Sequence, residues 1–199
     1  MKLERAIAGL KPHPQPKVWL EQYTIPPDVA SELLFTATYI YGDIPGKTVI
    51  DLGCGTGRLT IGAAMLGADL AVGVDVDPVA VRVAVENSEL ASVSDRVRFV
   101  VADVSAVRGR FDCVLMNPPF GVRRRHMDVE FLRKAVQLSD TVYSIHKAST
   151  IRYVSRWLGS RGWRVDAALG MKLRIPRMFR FHEKRFHSVD VAIIRAVRE

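Results

Sequence analysis

The chain has 199 residues, 48% of them hydrophobic and 25% charged, a composition that fills one packed core and excludes a disordered chain. No apolar run reaches the ~18–20 residues that cross a bilayer, and Met1 to Lys17 lacks the apolar stretch of a secretory signal, so a cytoplasmic protein with no membrane partner is expected. A formal net charge of +8 points to a polyanionic partner, while two cysteines (Cys54, Cys113) and five scattered histidines offer neither a disulfide framework nor metal-ligand spacing.

Residues 1–18 are expected as an extended segment, because Lys11–Lys17 carries three prolines; residues 19–199 then form one domain. Pro27 opens a helix, and apolar positions Val29, Leu33, Leu34, Ala37 and Ile40 carry it to Gly42. From Thr48 the pattern alternates. Strands are predicted over Thr48–Leu52, Leu70–Val74, Val97–Val101, Phe111–Met116 and Thr141–Ile145. Helices are predicted over Leu59–Leu66, Pro78–Leu90, Val129–Leu138 and Thr150–Leu158. No helical pattern separates the last two strands, near Arg164–Leu169 and Val189–Ala196, so they should pair antiparallel at one edge. The fold class is α/β: a single Rossmann-like, doubly wound sheet of seven strands, the last antiparallel, with helices on both faces.

The turn Asp51-Leu52-Gly53-Cys54-Gly55-Thr56-Gly57 closes the first strand and opens a helix. Ligands of doubly wound sheets bind outside the carboxyl ends of the strands, where this turn lies. Glycine lets the backbone turn sharply and lets a ligand approach the main chain. The spacing is Gly-x-Gly-x-Gly after an acidic residue, unlike the Gly-x-Gly-x-x-Gly of dinucleotide enzymes, and no Gly-Lys-Ser/Thr of a phosphate loop follows. Asp75 ends the second strand ahead of Val76, where a carboxylate can accept from both hydroxyls of a ribose. Asp103 ends the third strand ahead of Val104 and can accept from an adenine amine.

Three aspartates at successive strand ends, beside one glycine turn, resemble the class I S-adenosylmethionine-dependent methyltransferases from about Trp19 onward. The resemblance implies S-adenosylmethionine as cofactor and S-adenosylhomocysteine as product. It places the glycine turn against the methionine part, Asp75 on the ribose and Asp103 on the adenine. Expected cofactor contacts are therefore Asp51, Gly53, Gly55, Thr56, Gly57, Asp75, Val76, Asp103 and Val104.

The fourth strand ends in Asn117-Pro118-Pro119-Phe120. Proline cannot donate to a ladder, so the two prolines end the strand and stiffen the loop. An exocyclic amine conjugated to a ring is a poor nucleophile. The Asn117 side-chain oxygen and the Pro118 carbonyl could accept its two N–H groups and stabilise the positive charge that develops on nitrogen. Phe120 would stack on the extruded base. Asn117 would also touch the cofactor. The motif resembles the Asn/Asp-Pro-Pro-aromatic signature of amino-methyltransferases, whose acceptors are adenine N6, cytosine N4, the guanine amine or a glutamine amide. It names the reaction better than the substrate.

Leu20-Glu21-Gln22-Tyr23-Thr24, His146-Lys147-Ala148-Ser149-Thr150 and Phe181-His182-Glu183-Lys184, taken with Asn117–Phe120, resemble the small ribosomal-RNA adenine-N6 methyltransferases, the group of methyltransferase-like protein five. The resemblance implies that the first stretch closes over the cofactor, making Gln22 and Thr24 candidate contacts. The family usually reads Gln-Tyr-Pro-Thr, and here the threonine stands one place earlier. It also implies a small zinc-binding activator protein as partner. The residues themselves favour RNA: Arg123, Arg124 and Arg125 follow the acceptor loop. Arg180, Phe181, His182, Lys184 and Arg185 interleave basic and aromatic side chains, which pair with phosphates and stack on bases. His146 and Lys147 are read as structural or RNA-positioning rather than as general bases. Target recognition by shape, or with a partner's help, is expected. Glutamine-N5 methylation of a protein, DNA amino-methylation and a non-catalytic RNA-binding protein with a degenerate cofactor site are the alternatives.

Overall fold

A computed structural model describes residues 2–120, 127–176 and 186–199. In chain order the elements are α1 (Lys2–Ala8), α2 (Pro27–Phe35, continued by a π-helical turn Thr36–Ile40), β1 (Thr48–Leu52), α3 (Arg58–Met65), β2 (Leu70–Asp75), α4 (Pro78–Leu90), β3 (Val97–Val101), β4 (Cys113–Met116), α5 (Met127–Leu138), β5 (Thr141–Lys147), α6 (Ile151–Gly159), β6 (Trp163–Pro176) and β7 (Phe186–Arg198).

The strands form one sheet in the order β3-β2-β1-β4-β5-β7-β6. Strands β1 to β5 run parallel, and β7 is antiparallel to both β5 and β6, as the sequence predicts. Every β4 residue and all of β1 except its first are buried, which is why these central strands read as continuous apolar runs. The chain crosses from β1 to β2 on one side and later returns to β4 on the other. That reversal opens the crevice at the carboxyl ends of β1 and β4 where such sheets bind ligands. Register fixes its rim. Leu52 pairs with Val74 on one side and with Met116 on the other, so Gly53, Asp75 and Asn117 leave the sheet side by side.

Helices α1, α2 and α3 cover one face, with Ile7, Leu33, Leu34 and Ile61 in its core; α4 packs against α3, β2 and β3. Helices α5 and α6 cover the other face, burying Phe131, Leu132, Val154 and Leu158. The extended segment expected over residues 1–18 needs correction at its start, where Lys2–Ala8 is helical. Leu3 and Ile7 stand one turn apart, and with Leu10 they pack into the core beside α2 and α3. A helix this short depends on tertiary packing, not on its own propensity, so the local sequence does not announce it. Strands β6 and β7 outrun their predicted spans because their ladder continues past the apolar stretch, through Lys172 and Asp190. Among the described residues no helix is long and apolar enough to cross a membrane.

Candidate active site

The rim is built from the glycine turn outward. Gly53 and Gly55 hold φ of 71° and 53°, a region that strains any side-chain-bearing residue. A Cβ at Gly53 would also stand 2.9 Å from Phe131 Cε1. The N–H groups of Gly53 and Cys54 donate to the Val74 carbonyl at 2.8 and 3.0 Å, fastening the turn to the end of β2. Behind it, Asp51 is 1% exposed. Its Oδ2 accepts from Thr60 N at 3.1 Å and Thr60 Oγ1 at 2.8 Å, while Oδ1 has no partner among the described residues. Burial pushes the Asp51 carboxyl up to about 7, against the lowering effect of the Thr60 bonds and with help from the nearby Asp75 charge.

Asp75 accepts from Gly55 N at 2.8 Å and Asp77 N at 2.9 Å. Burial raises its carboxyl despite these bonds. Asp103 caps the short turn Val104–Ala106 by accepting from Ser105 N at 2.8 Å. These groups line a cavity of about 600 Å³ that includes Gly53, Gly55, Thr56, Val76 and Val104 and is closed on the far side by α5. Gly57 is not on its wall. It caps α3 at φ 86°, and a Cβ there would stand 3.1 Å from both Ala84 Cβ and Phe99 Cζ, so its role is packing.

The segment from His13 to Ile25 folds over the cavity as a clasp. One carboxylate anchors it. The Asp77 side chain is wholly buried and meets Lys17 Nζ at 3.0 Å and His13 Nε2 at 3.1 Å. Gln22 Nε2 donates to Asp77 Oδ2 at 2.9 Å, and the Gln22 Oε1 accepts from Lys17 N at 2.8 Å. Burial alone would raise the Asp77 carboxyl, but the bonds from Gln22, Lys17, Val79 and His13 outweigh it and hold the group well below the usual carboxylate range. Thr24 also lines the cavity, its Oγ1 accepting from His13 N at 3.2 Å. Arg58, on the first turn of α3, donates to the Ile25 carbonyl at 2.5 Å and ties the clasp's end to the glycine-turn helix.

Asn117 and Pro119 line the mouth of the cavity, and Pro118 and Phe120 stand outside the lining. The Tyr23 hydroxyl of the clasp donates to Asn117 Oδ1 at 2.9 Å. Phe120 lies with its ring centroid 6.0 Å from that of Tyr23, and Lys147 Nζ is 5.6 Å from the Phe120 centroid. Lys147 therefore sits beside the acceptor loop. Of the two sequence readings of His146, structural or RNA-positioning, its burial fits the structural one and not a direct contact with RNA. Its side chain points into the fold, 1% exposed, with one ring nitrogen 2.8 Å from Ser144 Oγ. Burial lowers it to about 4, so it is a neutral structural group. Arg123, Arg124, Arg125, Arg180, Phe181, His182, Lys184 and Arg185 lie outside the described residues.

Sequence reasoning missed Tyr23, Asp77, His13, Lys17 and Arg58 as site-building residues. Asp77 reads from sequence as a helix cap, which it also is, accepting from Val79 N at 3.0 Å. No local signal marks the other four, because each acts across a long sequence separation.

Comparison with known proteins places this geometry. A family model described as ribosomal protein L11 methyltransferase (PrmA) matches residues 36–118, the stretch that holds the glycine turn and the three strand ends. The rRNA N(6)-adenosine-methyltransferase METTL5 of Danio rerio is 37% identical over 202 residues, 98% of this chain and 96% of that protein. The Drosophila melanogaster Mettl5 is 39% identical over 200 residues, 96% of this chain and 92% of that protein. The crystal structure of PH1948 from Pyrococcus horikoshii superposes with a TM-score of 0.93 at 44% identity, covering 99% of this chain and 96% of the other. Likeness at this level runs from the clasp through the acceptor loop to the last strand, well beyond the cofactor half shared with the protein-modifying family, and the chain belongs to the METTL5 family of rRNA N(6)-adenosine methyltransferases.

Proposed function

We propose that this protein methylates the exocyclic N6 of an adenosine in structured RNA, using S-adenosylmethionine; family membership supports ribosomal RNA, and we take the small-subunit RNA as the target. The observation that carries the reading is the placement of one uncharged acceptor oxygen, Asn117 Oδ1, at the mouth of a cavity whose other end offers Asp75 and Asp103. The cavity suits this cofactor in volume and in donor set. Asp51 Oδ1, buried on its wall with no partner among the described residues, calls for a hydrogen-bond donor or cation, which the cofactor's ammonium provides. Asp75 and Asp103 would take the ribose hydroxyls and the adenine amine.

Bound S-adenosylmethionine supplies an electrophilic sulfonium methyl and leaves as the neutral thioether S-adenosylhomocysteine. The chain's own residues prepare the acceptor. Asn117 Oδ1 and the Pro118 carbonyl each accept one N–H of the target amine, which leaves the nitrogen lone pair free to form the new N–C bond as the C–S pair returns to sulfur. The same two oxygens stabilise the charge that develops on nitrogen. After transfer the cationic amine loses one proton to water. No basic side chain is needed, and the neutral, buried His146 supplies none.

A polyanionic substrate suits the rest of the surface. From Thr141 to Val165 the chain has Lys147, Arg152, Arg156, Arg161 and Arg164 and no acidic residue. Arg152, Tyr153 and Arg156 are exposed on α6, which follows Lys147, the residue whose Nζ stands 5.6 Å from the Phe120 ring. Arg123–Arg125 and the basic stretch 180–185 are proposed RNA contacts on sequence grounds, because basic and aromatic side chains pair with phosphates and stack on bases, and a small zinc-binding activator is a proposed partner. Incubation with tritiated cofactor and, in parallel, ribosomal subunits, total DNA and a release-factor protein tests the function. Nucleoside analysis should find labelled N6-methyladenosine in ribosomal RNA. Label in protein alone overturns the reading in favour of the glutamine amide, whose geometry at Asn117 would be the same.

A further inference from the structure

We propose that Tyr23 is a positioning residue for methyl transfer: its hydroxyl orients the Asn117 carboxamide, so that the acceptor oxygen faces the target amine only while the clasp is closed over the cofactor. The proposal rests on the acceptor role given to Asn117 above. The torsion that ends an asparagine side chain has a broad, nearly two-fold profile, and its oxygen and nitrogen ends differ little in shape. A lone Asn117 could present its amide nitrogen, a donor, to a substrate that needs an acceptor. Tyr23 removes that ambiguity. Its O–H donates to Asn117 Oδ1 at 2.9 Å and has no other hydrogen-bond partner among the described residues. Turning the carboxamide over would leave the hydroxyl proton without an acceptor. A carbonyl oxygen has two lone pairs, so one stays open for the amine. Burial keeps the Tyr23 hydroxyl protonated well above the usual tyrosine range, which makes it a donor and not a base.

The contact also joins the two ends of the site. Gln22, the preceding residue, holds Asp77; the Asp77 N–H in turn holds Asp75 Oδ1. The path from the proposed ribose carboxylate to the methyl acceptor therefore runs through two neighbouring residues of the clasp. With the clasp open, the same movement that releases Gln22 removes the Tyr23 hydroxyl from Asn117. Transfer then waits for the cofactor to be covered.

Tyr23→Phe keeps the ring against Phe120 and deletes one hydroxyl. With ribosomal RNA as substrate, kcat should fall about ten- to a hundredfold, the range that misplacement of one contact costs. KM for the RNA and the Kd for S-adenosylhomocysteine should stay within about twofold, since the clasp keeps its ties through Gln22, Lys17 and Arg58. The chain has two asparagines, Asn87 and Asn117, so asparagine-selective 15N labelling gives two side-chain amide pairs. In the variant the Asn117 pair should shift. The Asn87 pair should not, because its bonds to Lys11 and Thr56 are untouched. An unchanged kcat, an unmoved Asn117 pair, or a fall in kcat matched by weaker cofactor binding overturns the proposal, the last by reducing Tyr23 to a support of the clasp. If the wild-type protein itself transfers no label to RNA, the functional reading fails first, and that result is separate from any effect of the variant.

Discussion

Asn117 is placed by a strand and oriented by a side chain, and the two contributions can be separated. Register puts it one residue beyond Met116, opposite the glycine turn. Asn117→Ala leaves that backbone in place and removes the acceptor, so S-adenosylhomocysteine binding should stay within about threefold. The single-turnover rate should fall about 10²–10³-fold, as when one preorganised electrostatic contact is lost. Full activity in this variant would remove Asn117 from the chemistry. Asp51 makes a prediction of a different kind. Its carboxyl titrates at about 7 because it is buried. A bound ammonium favours the ionised form and lowers that value. Ligand affinity must then rise with pH up to the free-state value and level off above it. Calorimetry with S-adenosylhomocysteine should show binding about tenfold tighter at pH 7.5 than at pH 6, by proton linkage, and Asp51→Asn should flatten the curve. The glycines and the three strand-end aspartates were legible in the sequence because each closes a strand whose apolar run is plain. Tyr23 and Arg58 were not, since their partners lie 94 and 33 residues away, and no local pattern records such a contact.

Helix α6 shows how an element can be legible while its surface is overlooked. Its apolar residues Val154 and Leu158 lie one turn apart and predict the helix. The same spacing puts Arg152 and Arg156 on one exposed face, beside a Tyr153 that is 52% exposed. Neither arginine forms an ion pair among the described residues, whereas Arg110, Arg195 and Arg198 each meet a carboxylate. Cations with no carboxylate partner among the described residues suit a phosphate backbone. The double variant Arg152→Ala, Arg156→Ala should weaken RNA binding about tenfold and lower the slope of log K against log salt by between one and two, with the cofactor Kd unchanged. An unaltered salt slope would make α6 a solvated face. Helix α1 is the converse case. Proline content downstream suggested extension, while Leu3 and Ile7 become a helical stripe once the sheet and α2 offer them a surface. Elements that form by docking are read poorly from their own sequence.

For the whole molecule, the order of the sheet opens the crevice between β1 and β4, and a segment from the far N-terminal side of the chain must return to close it. That return is held by Asp77, a wholly buried carboxylate that serves at once as cap for α4 and as partner to His13, Lys17 and Gln22. Asp77→Asn keeps the shape and removes the charge. Hydrogen bonds to a charged group contribute about 1.5–3 kcal/mol, so the variant should lose roughly 2 kcal/mol of stability at neutral pH. The loss should be larger in the presence of saturating S-adenosylhomocysteine, because a looser clasp also weakens the ligand that stabilises the native state. The pH dependence is fixed in sign. A carboxyl held below its unfolded value contributes stability that is fully present above about pH 4 and lost as pH falls toward its folded value. The difference between wild type and Asp77→Asn should therefore hold from pH 5 to 7 and shrink below about pH 4, read as urea midpoints at each pH. A difference that persisted unchanged into strong acid would mean that the carboxylate's charge is not what holds the clasp. Closure would then rest on packing at Ile25, on the Arg58 bond to its carbonyl and on the Tyr23 bond to Asn117.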